Sequence, residues 1–394
     1  MAQTLVFLFY NPLSPEDPEK YGLKAMESMG ARCQFWVLLP LMSQHRPLEP
    51  GPEWVLDWAD LDHRFAALEP EALFVDFFGG LSAWVGPMER VYRRMKAFGF
   101  RYVIPNLAPL PIAVPLVSSG LERGRFSRRL AKLKGLNKKR FKDLWTSRLV
   151  LLLKRATQIY PKPVQVFSLD NETLDQYCYR NQFPKELVVP IHSMDYDRFL
   201  AYRNSTPKAH PQKVCVFLDQ AFTHHPDLKQ ILGQDPAKGA EAYLKKMNRL
   251  FGEIESKTGL KVVIAAHPRS QYDKLGNPFE ERELVKGSTL EWVDRSQMVV
   301  AHWSTSVGLA ALFGKPLLIA WVAGSHPLTR TLAHKLNTSL IDLERPEELD
   351  HFNLEQFPFR ATDYTSYIRH YLKSEQAPAE QSCWQIMGPQ LLKL

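Results

Sequence analysis

Residues 261–321 read KVVIAAHPRSQYDKLGNPFEERELVKGSTLEWVDRSQMVVAHWSTSVGLAALFGKPLLIAW, and this stretch decides the fold of the chain. It contains three short apolar runs rich in Val, Ile and Leu, at 262–266, 298–301 and 317–320. Polar residues, Gly or Pro bound each run, as is typical of strands buried on both faces of a parallel sheet. The stretch therefore predicts the sheet of an α/β domain.

Two of these runs end in polar residues that suit ligand binding. His-Pro-Arg at 267–269 follows the first run, and His-Trp-Ser-Thr-Ser at 302–306 follows the second. Open α/β sheets bind ligands just beyond the carboxyl ends of their parallel strands. We therefore expect the two segments to form neighbouring lips of one crevice.

The Ser-Thr-Ser segment at 304–306 predicts an anion site, because a helical pattern follows it at 307–313. A helix that begins there directs unpaired N–H groups and the positive end of its dipole outward, and such a site suits a phosphate without a metal. Arg269 can pair bidentately with the same phosphate, and His267 can donate to a phosphate or ribose oxygen. An ordinary helix N-cap is the alternative for the hydroxyls.

Asp219 is the first candidate for a catalytic carboxylate, since it follows another apolar run of the same sheet, at 214–218. It can deprotonate a sugar hydroxyl as a general base, or attack an anomeric carbon in a double displacement. An Asx-turn or a helix N-cap is the alternative. His302 also has two interpretations, a ligand-facing residue or a core histidine bonded to the backbone.

Other catalytic signatures are absent from the sequence. The adjacent His224 and His225 do not predict a metal site, because neighbouring strand residues point to opposite faces and no suitably spaced carboxylate accompanies them. The chain has no Walker loop, no GxGxxG after the first strand and no GxSxG elbow. We therefore expect chemistry without a metal cofactor.

Composition restricts the class of protein. The chain has 394 residues, 45% of them hydrophobic and 23% charged, which predicts two ordered domains rather than disorder. The four cysteines are scattered without a CxxC pair, so neither a zinc knot nor a disulfide framework is expected. The first residues do not resemble a signal peptide, and no window has 18 unbroken apolar residues. These features predict a cytoplasmic protein.

Apolar runs alternate with helical patterns along the whole chain, and this predicts two doubly wound α/β domains. We assign residues 1–205 to an acceptor-side domain, 206–345 to a nucleotide-binding domain, and 346–394 to a helical segment that returns to the first domain. The boundary is placed in the polar, Pro-containing stretch at 202–213. Further strands are predicted at 5–10, 33–41, 73–78, 102–105, 164–169 and 340–343, and helices at 19–29, 87–98 and 238–258.

The positive charge is concentrated in the segment 121–158. Residues 122–155 contain 13 Lys/Arg and 2 Asp/Glu, a net charge of +11 against +8 for the whole chain. Leu, Phe and Trp recur among the cations at roughly helical spacing, which favours an interfacial helix on an anionic membrane. A groove for an acidic acceptor, or the solvated face of a core helix, would have the same pattern. Nucleic acid is not an expected partner, because no nucleic-acid-binding motif accompanies the charge.

A family resemblance joins these observations. AAHPRSQYD at 265–273 and VKGSTLEWVDRSQMVVAHWSTSVGLAALFGKPLLI at 285–319 resemble the donor half of bacterial GT-B-type glycosyltransferases of surface polysaccharides. The likeness is greatest to polysialyltransferase-like, sialyltransferase-like and Kdo-transferase-like enzymes, which use CMP-activated acidic sugars. It extends over roughly residues 187–325. The acidic dyad before a Gly that sialyltransferase-like members carry is missing, and Asp219-Gln220 stands near that place.

The resemblance implies a site and a function. In this family an HP motif and a Ser/Thr pair hold CMP, which here correspond to His267-Pro268 and to Ser304, Thr305 and Ser306. The predicted catalytic residues are Asp219 and His267, and the predicted binding residues are Pro268, Arg269, Thr289, His302, Ser304, Thr305 and Ser306. The implied enzyme transfers an acidic sugar from a CMP-sugar to a capsule, lipopolysaccharide or lipid-linked acceptor at the inner membrane. Transfer from CDP-linked alcohols and a non-catalytic nucleotide-sugar-binding scaffold are the alternatives.

Overall fold

The computed structural model describes residues 2–10, 13, 17–42, 51–77, 87–110, 162–169, 174, 178, 184–206, 209–222, 239–326, 328–351 and 363–394. Two features singled out in the sequence lie outside these residues: the basic segment 121–158 and His224-His225.

The first half of the chain forms a parallel sheet of six strands in the order β2-β1-β3-β4-β5-β6. The strands are β1 (Thr4–Phe9), β2 (Arg32–Val37), β3 (Leu73–Asp76), β4 (Arg101–Asn106), β5 (Gln165–Ser168) and β6 (Val188–Pro190). The described helices of this half are α1 (Asp17–Lys20), α2 (Leu23–Ser28), α3 (Leu39–Met42), α4 (Trp58–Ala67), α5 (Pro87–Ala97) and α6 (Met194–Ser205).

Helices cover both faces of this sheet, so its central strand β1 is apolar from Leu5 to Phe9. Strand β1 is fully buried, with Val6 and Leu8 in the core on the α4 and α5 side and Leu5 and Phe7 in the core on the opposite side. An unbroken apolar run is what burial on both faces requires.

Two sequence predictions in this half are wrong in their extent. The helix predicted at 19–29 is divided into α1 and α2, because Gly22 between them has a left-handed φ of 79° and any Cβ there would overlap the Trp384 indole. The strand predicted at 33–41 ends at Val37, and α3 follows it with Pro40, which has no N–H for a strand ladder.

The second half forms another parallel six-stranded sheet, in the order β12-β11-β10-β7-β8-β9. Its strands are β7 (Val214–Leu218), β8 (Lys261–Ala265), β9 (Glu283–Val285), β10 (Met298–Ala301), β11 (Leu317–Trp321) and β12 (Ser339–Asp342). The three strands predicted from residues 261–321 are therefore confirmed. Strand β9 was not predicted, since its three residues are only half-buried at the sheet edge and show no apolar run.

The helices of the second half cover that sheet and extend to the chain end. They are α7 (Ala240–Thr258), α8 (Tyr272–Leu275), α9 (Thr289–Arg295), α10 (Val307–Leu312), α11 (Thr329–Lys335), α12 (Pro346–His351), α13 (Thr365–Tyr371) and α14 (Cys383–Leu391). Helix α7 buries the apolar face expected for the predicted 238–258 helix, and Gly259 terminates it with a φ of 67°. Within the described residues, no helix is long and apolar enough to cross a bilayer.

The last helix returns to the first sheet, as predicted. Trp384, Met387 and Leu391 of α14 lie in the same core cluster as Leu5 and Phe7 of β1. Ser382 and Gln385 form a capping box that fixes where this helix begins. The C-terminal segment therefore ties the second half of the chain to the first.

Helix α6 and the segment after α13 join the two halves beside the second sheet. The Ser193 N–H donates to the Leu372 carbonyl at 2.8 Å, directly before α6. Leu372 in turn lies against Gly308 of α10, where an added Cβ would be 2.6 Å from Leu372 Cδ2. Gly308 is therefore required for this close packing.

Candidate functional site

The carboxyl edge of the second sheet brings the predicted site residues together. Leu218, the last residue of β7, is in register with Ala265 of β8 and with Ala301 of β10. Because neighbouring strands lie about 4.8 Å apart, the residues after β8 and after β10 are separated by the width of two strand spacings, about 10 Å. The His267 and Ser304 turns thus stand on the two sides of β7.

Asp219 and Gln220 connect these two turns. The Asp219 carboxylate accepts a hydrogen bond from the His267 backbone N–H at 3.2 Å. The Gln220 side-chain amide donates to the Trp303 carbonyl, directly before the Ser-Thr-Ser segment. Two consecutive residues therefore hold both lips, which fixes the spacing of the crevice between them.

The Asp219 carboxylate lies beneath the opening. Its Oδ1 accepts from the Ala221 N–H at 2.9 Å, which forms the Asx-turn that the sequence left open, and the Tyr272 hydroxyl also donates to this carboxylate. The residue is only 7% exposed, and burial raises its pKa to about 6. With both oxygens bound to the surrounding chain, the geometry favours a positioning role over direct attack on a substrate.

His267 has a defined orientation at the first lip. The Arg269 backbone N–H donates to His267 Nδ1 at 3.2 Å, and the Ser270 N–H donates to the His267 carbonyl at 2.8 Å. A neutral imidazole whose Nδ1 accepts a hydrogen bond carries its proton on Nε2. The half-buried ring therefore presents an Nε2–H donor, which is the chemistry needed to bind a phosphate oxygen.

Cations surround the same turn. The Arg269 guanidinium lies 3.8 Å from the Asp17 carboxylate of the first domain, so the two domains meet at this place. Lys286, which follows β9, donates from its Nζ to the Ser270 carbonyl at 3.0 Å. Sequence reasoning missed Lys286, because the strand that positions it is too short to give a signal.

The second lip is built from half-buried hydroxyls. Ser304 Oγ accepts from the Ser306 N–H at 3.2 Å, so this hydroxyl stabilises the turn before α10, whereas Ser306, the N-cap residue, makes no side-chain cap hydrogen bond. Helix α10 begins at Val307 and has six residues, so its dipole is short and the hydroxyls are the main polar groups here. Thr289 begins α9 beyond β9 and is also half-buried.

His302 lies in the core instead of the crevice. It is 2% exposed, its Nδ1–H donates to the Ala320 carbonyl at 2.6 Å, and its Nε2 accepts from the Tyr243 hydroxyl at 3.1 Å. Burial lowers its pKa to about 4. Both ring nitrogens are used within the fold, which favours the core-histidine interpretation.

An aromatic pair borders the hydroxyl lip and was not predicted. The rings of Trp303 and His326 stack with centroids 4.3 Å apart. His326 repeats the geometry of His267, since its Nδ1 accepts from the Leu328 N–H at 3.2 Å. Its only sequence signal was a His-Pro dipeptide, one of four in the chain.

The described residues also contain a cavity of about 610 Å³ in the first domain. It lies beside the edge strand β2 and is lined by Leu13, Pro18, Gln34, Phe35, Trp36, Pro52, Glu53 and Arg64. None of the predicted site residues contributes to it. We therefore place the candidate site at the crevice, where donors from several strand ends converge.

Comparison with known proteins yields structural relatives only. No protein-family model and no curated protein matches this chain. The UDP-GlcNAc 2-epimerase of Methanocaldococcus jannaschii, solved with UDP-GlcNAc and UDP, has a TM-score of 0.50 and 11% identity over 100% of both chains. The wall teichoic acid polymerase TagF has a TM-score of 0.47 and 11% identity, over 99% of this chain and 88% of that one. The glycosyltransferase of kitacinnamycin has a TM-score of 0.43 and 11% identity, over 100% and 95%.

At such low identity the likeness concerns the fold alone. The two parallel six-stranded sheets, the contact between their domains and the returning C-terminal helix agree with the architecture expected from the sequence. The chain therefore has a GT-B-like α/β fold.

Proposed function

We propose that this protein is a glycosyltransferase that transfers an acidic sugar from a CMP-activated donor to a surface glycan or lipid-linked acceptor. The observation that carries the proposal is the convergence of the His267 turn and the Ser304 turn on the two sides of β7. The intervening space has cationic and N–H donors on one side and hydroxyls on the other. This donor set suits a nucleotide phosphate.

In the proposed reaction the nucleotide leaves with the negative charge of the broken bond on its phosphate. His267 Nε2–H and the Arg269 guanidinium would stabilise that charge from one lip, and the hydroxyls of Ser304, Thr305 and Ser306 would do so from the other. A preorganised donor of this kind contributes about 3–4 kcal/mol to transition-state stabilisation. Asp219 supports the reaction by holding the His267 backbone.

The first test is ligand binding. We expect CMP to raise the melting temperature more than UDP or GDP does, because a ligand that binds only the folded state stabilises it by mass action. The Ser304→Ala variant should lose part of this shift. Ser256→Ala is a matched control, since Ser256 is exposed on α7. Equal shifts with all three nucleotides would contradict a CMP donor.

The second test is turnover. Wild-type protein should release CMP from CMP-linked acidic sugars, and a chelator such as EDTA should leave the rate unchanged if no metal takes part. Binding of CMP without any turnover would instead support the non-catalytic scaffold.

A second donor class, the CDP-linked alcohols, is favoured by one observation. Arg269 and Lys286 place two cations around the same turn, and a diphosphate would use both. Comparing CMP-sugars with CDP-glycerol in the same assay distinguishes the classes. Lys286→Gln should weaken CDP binding more than CMP binding if the diphosphate is the donor.

The basic segment 121–158 would bring the enzyme to an anionic membrane that carries the acceptor. Electrostatic attachment of this kind weakens with salt. Flotation with vesicles of phosphatidylglycerol should therefore show binding in low salt that is lost in high salt. Binding that salt does not alter, or no binding, would contradict the assignment.

A further inference from the structure

Asp17 is the carboxylate of the first domain that meets the donor-side turn. Its side chain is 9% exposed and lies 3.8 Å from the Arg269 guanidinium, and Lys20 of the same helix lies 3.7 Å away. Nothing in the sequence singled it out, because the contact joins residues more than 250 positions apart.

Asp17 lies near the carboxyl edge of the first sheet. The neighbouring Tyr21 ring lies 4.7 Å from Phe9, the last residue of β1, and 5.0 Å from Phe77, which follows β3. Burial raises the pKa of Tyr21 to about 12, with a further increase from Asp17 and an opposing effect from Arg269, so its hydroxyl senses both charges. Asp17 thus stands where the carboxyl edges of the two sheets face each other.

Asp195 is another buried acidic residue in the described part of the chain, and its surroundings differ. Its carboxylate is buried between α6 and α10, 3.6 Å from where a Cβ on Gly308 would lie, and Arg198 of its own helix is 3.6 Å away. Both carboxylate oxygens of Asp219 accept hydrogen bonds from backbone N–H groups. Of these three carboxylates, Asp17 is the one that lies beside a side-chain cation that the nucleotide phosphate would also bind.

We propose that Asp17 is the general base of the transfer, and that Arg269 exchanges Asp17 for the donor phosphate when the nucleotide binds. This inference rests on the proposed function. The Arg269 guanidinium lies beside the Asp17 carboxylate, and its movement toward the phosphate would open one side of that carboxylate to the acceptor hydroxyl only when a donor is present.

The acceptor oxygen forms a bond to the anomeric carbon while the bond from that carbon to the phosphate oxygen breaks. The electron pair of the broken bond remains on the nucleotide phosphate beside His267 and Arg269, and the hydroxyl proton passes to Asp17. One displacement of this kind inverts the anomeric configuration.

The decisive experiment measures CMP release from CMP-N-acetylneuraminate and CMP-Kdo, with water as the acceptor. Asp17→Asn should lower kcat about 100- to 10,000-fold while KM stays the same or falls, and Asp17→Glu should restore part of the rate. Glu19→Gln is the matched control, because Glu19 is an exposed carboxylate on the same helix, paired with Lys24 at 2.8 Å. Circular dichroism and melting curves establish that each variant is folded.

A binding measurement tests the exchange separately. Asp17→Asn should bind CMP and inorganic pyrophosphate about two- to fivefold more tightly by isothermal titration calorimetry, because Arg269 no longer has to leave a carboxylate. Unchanged affinity in a folded variant would overturn the exchange, and retention of wild-type kcat would overturn the base role.

Two different experimental results would contradict the proposed function and the role of Asp17. Wild-type protein that releases no nucleotide from any donor removes the transferase and the base role together. A wild-type enzyme that is active, with an equally active Asp17→Asn variant, removes only the role of Asp17.

Discussion

His267 and His302 both follow buried strands of one sheet, yet the fold uses them in opposite ways. Val300 of β10 faces the core beneath α7, and His302, two residues later, keeps that direction and reaches Tyr243. His267 comes one residue further beyond its strand, after the backbone has turned, and its ring stands at the crevice. His302 is one residue beyond the end of its strand and His267 is two residues beyond. This difference of one residue separates a structural histidine from a candidate catalytic one.

The largest expected effect is on turnover at His267. Replacing it with Ala should reduce kcat about 100- to 1,000-fold, or about 3–4 kcal/mol, since one preorganised donor to the leaving phosphate is lost. The melting temperature should change little because the side chain is half-buried. The rate of CMP release measures the effect, and His210→Ala, an exposed histidine, is the control. Wild-type turnover in folded His267→Ala would remove the site assignment.

The next effect concerns the pH dependence of stability at His302. Its folded-state pKa is about 4 against 6.5 in the unfolded chain, so the unfolded state binds the proton first. The stability that His302 contributes is therefore complete above pH 6.5 and is lost as pH falls toward 4, by about 2–3 kcal/mol at pH 4.5. Urea unfolding at pH 7.5 and 4.5 measures this loss.

His302→Asn should remove the pH-dependent loss of unfolding free energy that His302 causes. The difference between wild type and variant at the two pH values measures that loss. The subtraction is needed because Asp219, whose folded-state pKa is raised to about 6, titrates in an overlapping range with the opposite sign. An identical pH dependence in wild type and His302→Asn would mean that His302 is not buried in its neutral form.

A smaller effect is expected at Asp219. Its size distinguishes a residue that holds the His267 turn in place from a catalytic group. In Asp219→Asn an amide NH₂ replaces one of two accepting oxygens, so the His267 turn should loosen. We expect a loss of about tenfold in CMP affinity and in kcat, or about 1.4 kcal/mol each. Calorimetry and CMP release measure the two quantities. A loss of more than about 1,000-fold in kcat with unchanged affinity would instead make Asp219 a catalytic group.

The smallest effect tests the partner of the buried histidine. Tyr243→Phe removes the hydroxyl that donates to His302 Nε2 and should cost about 1 kcal/mol of unfolding free energy. Turnover should stay within about twofold of wild type, because neither residue reaches the crevice. Combining this change with His302→Asn in a double-mutant cycle should give a clear coupling energy. Additive effects would contradict the hydrogen bond.

The sequence by itself determined the two-domain α/β architecture, five of the six strands of the second sheet and the shared edge of the 267–269 and 304–306 segments. It could do so because strands buried on both faces need continuous apolar runs, and parallel strands place their carboxyl ends at one edge. Strand β9 and Lys286 escaped prediction because a three-residue edge strand needs no such run.

Only the tertiary structure decided which polar residues face the crevice. The burial of His302 depends on the residue at which β10 ends and on its contact with Tyr243, and the Asp219 carboxylate accepts from the His267 backbone N–H, 48 positions away. The ion pair of Asp17 with Arg269 forms only when the two domains meet. Local sequence patterns report periodicity and burial, whereas these contacts join residues that are distant in the chain, so packing alone determines them.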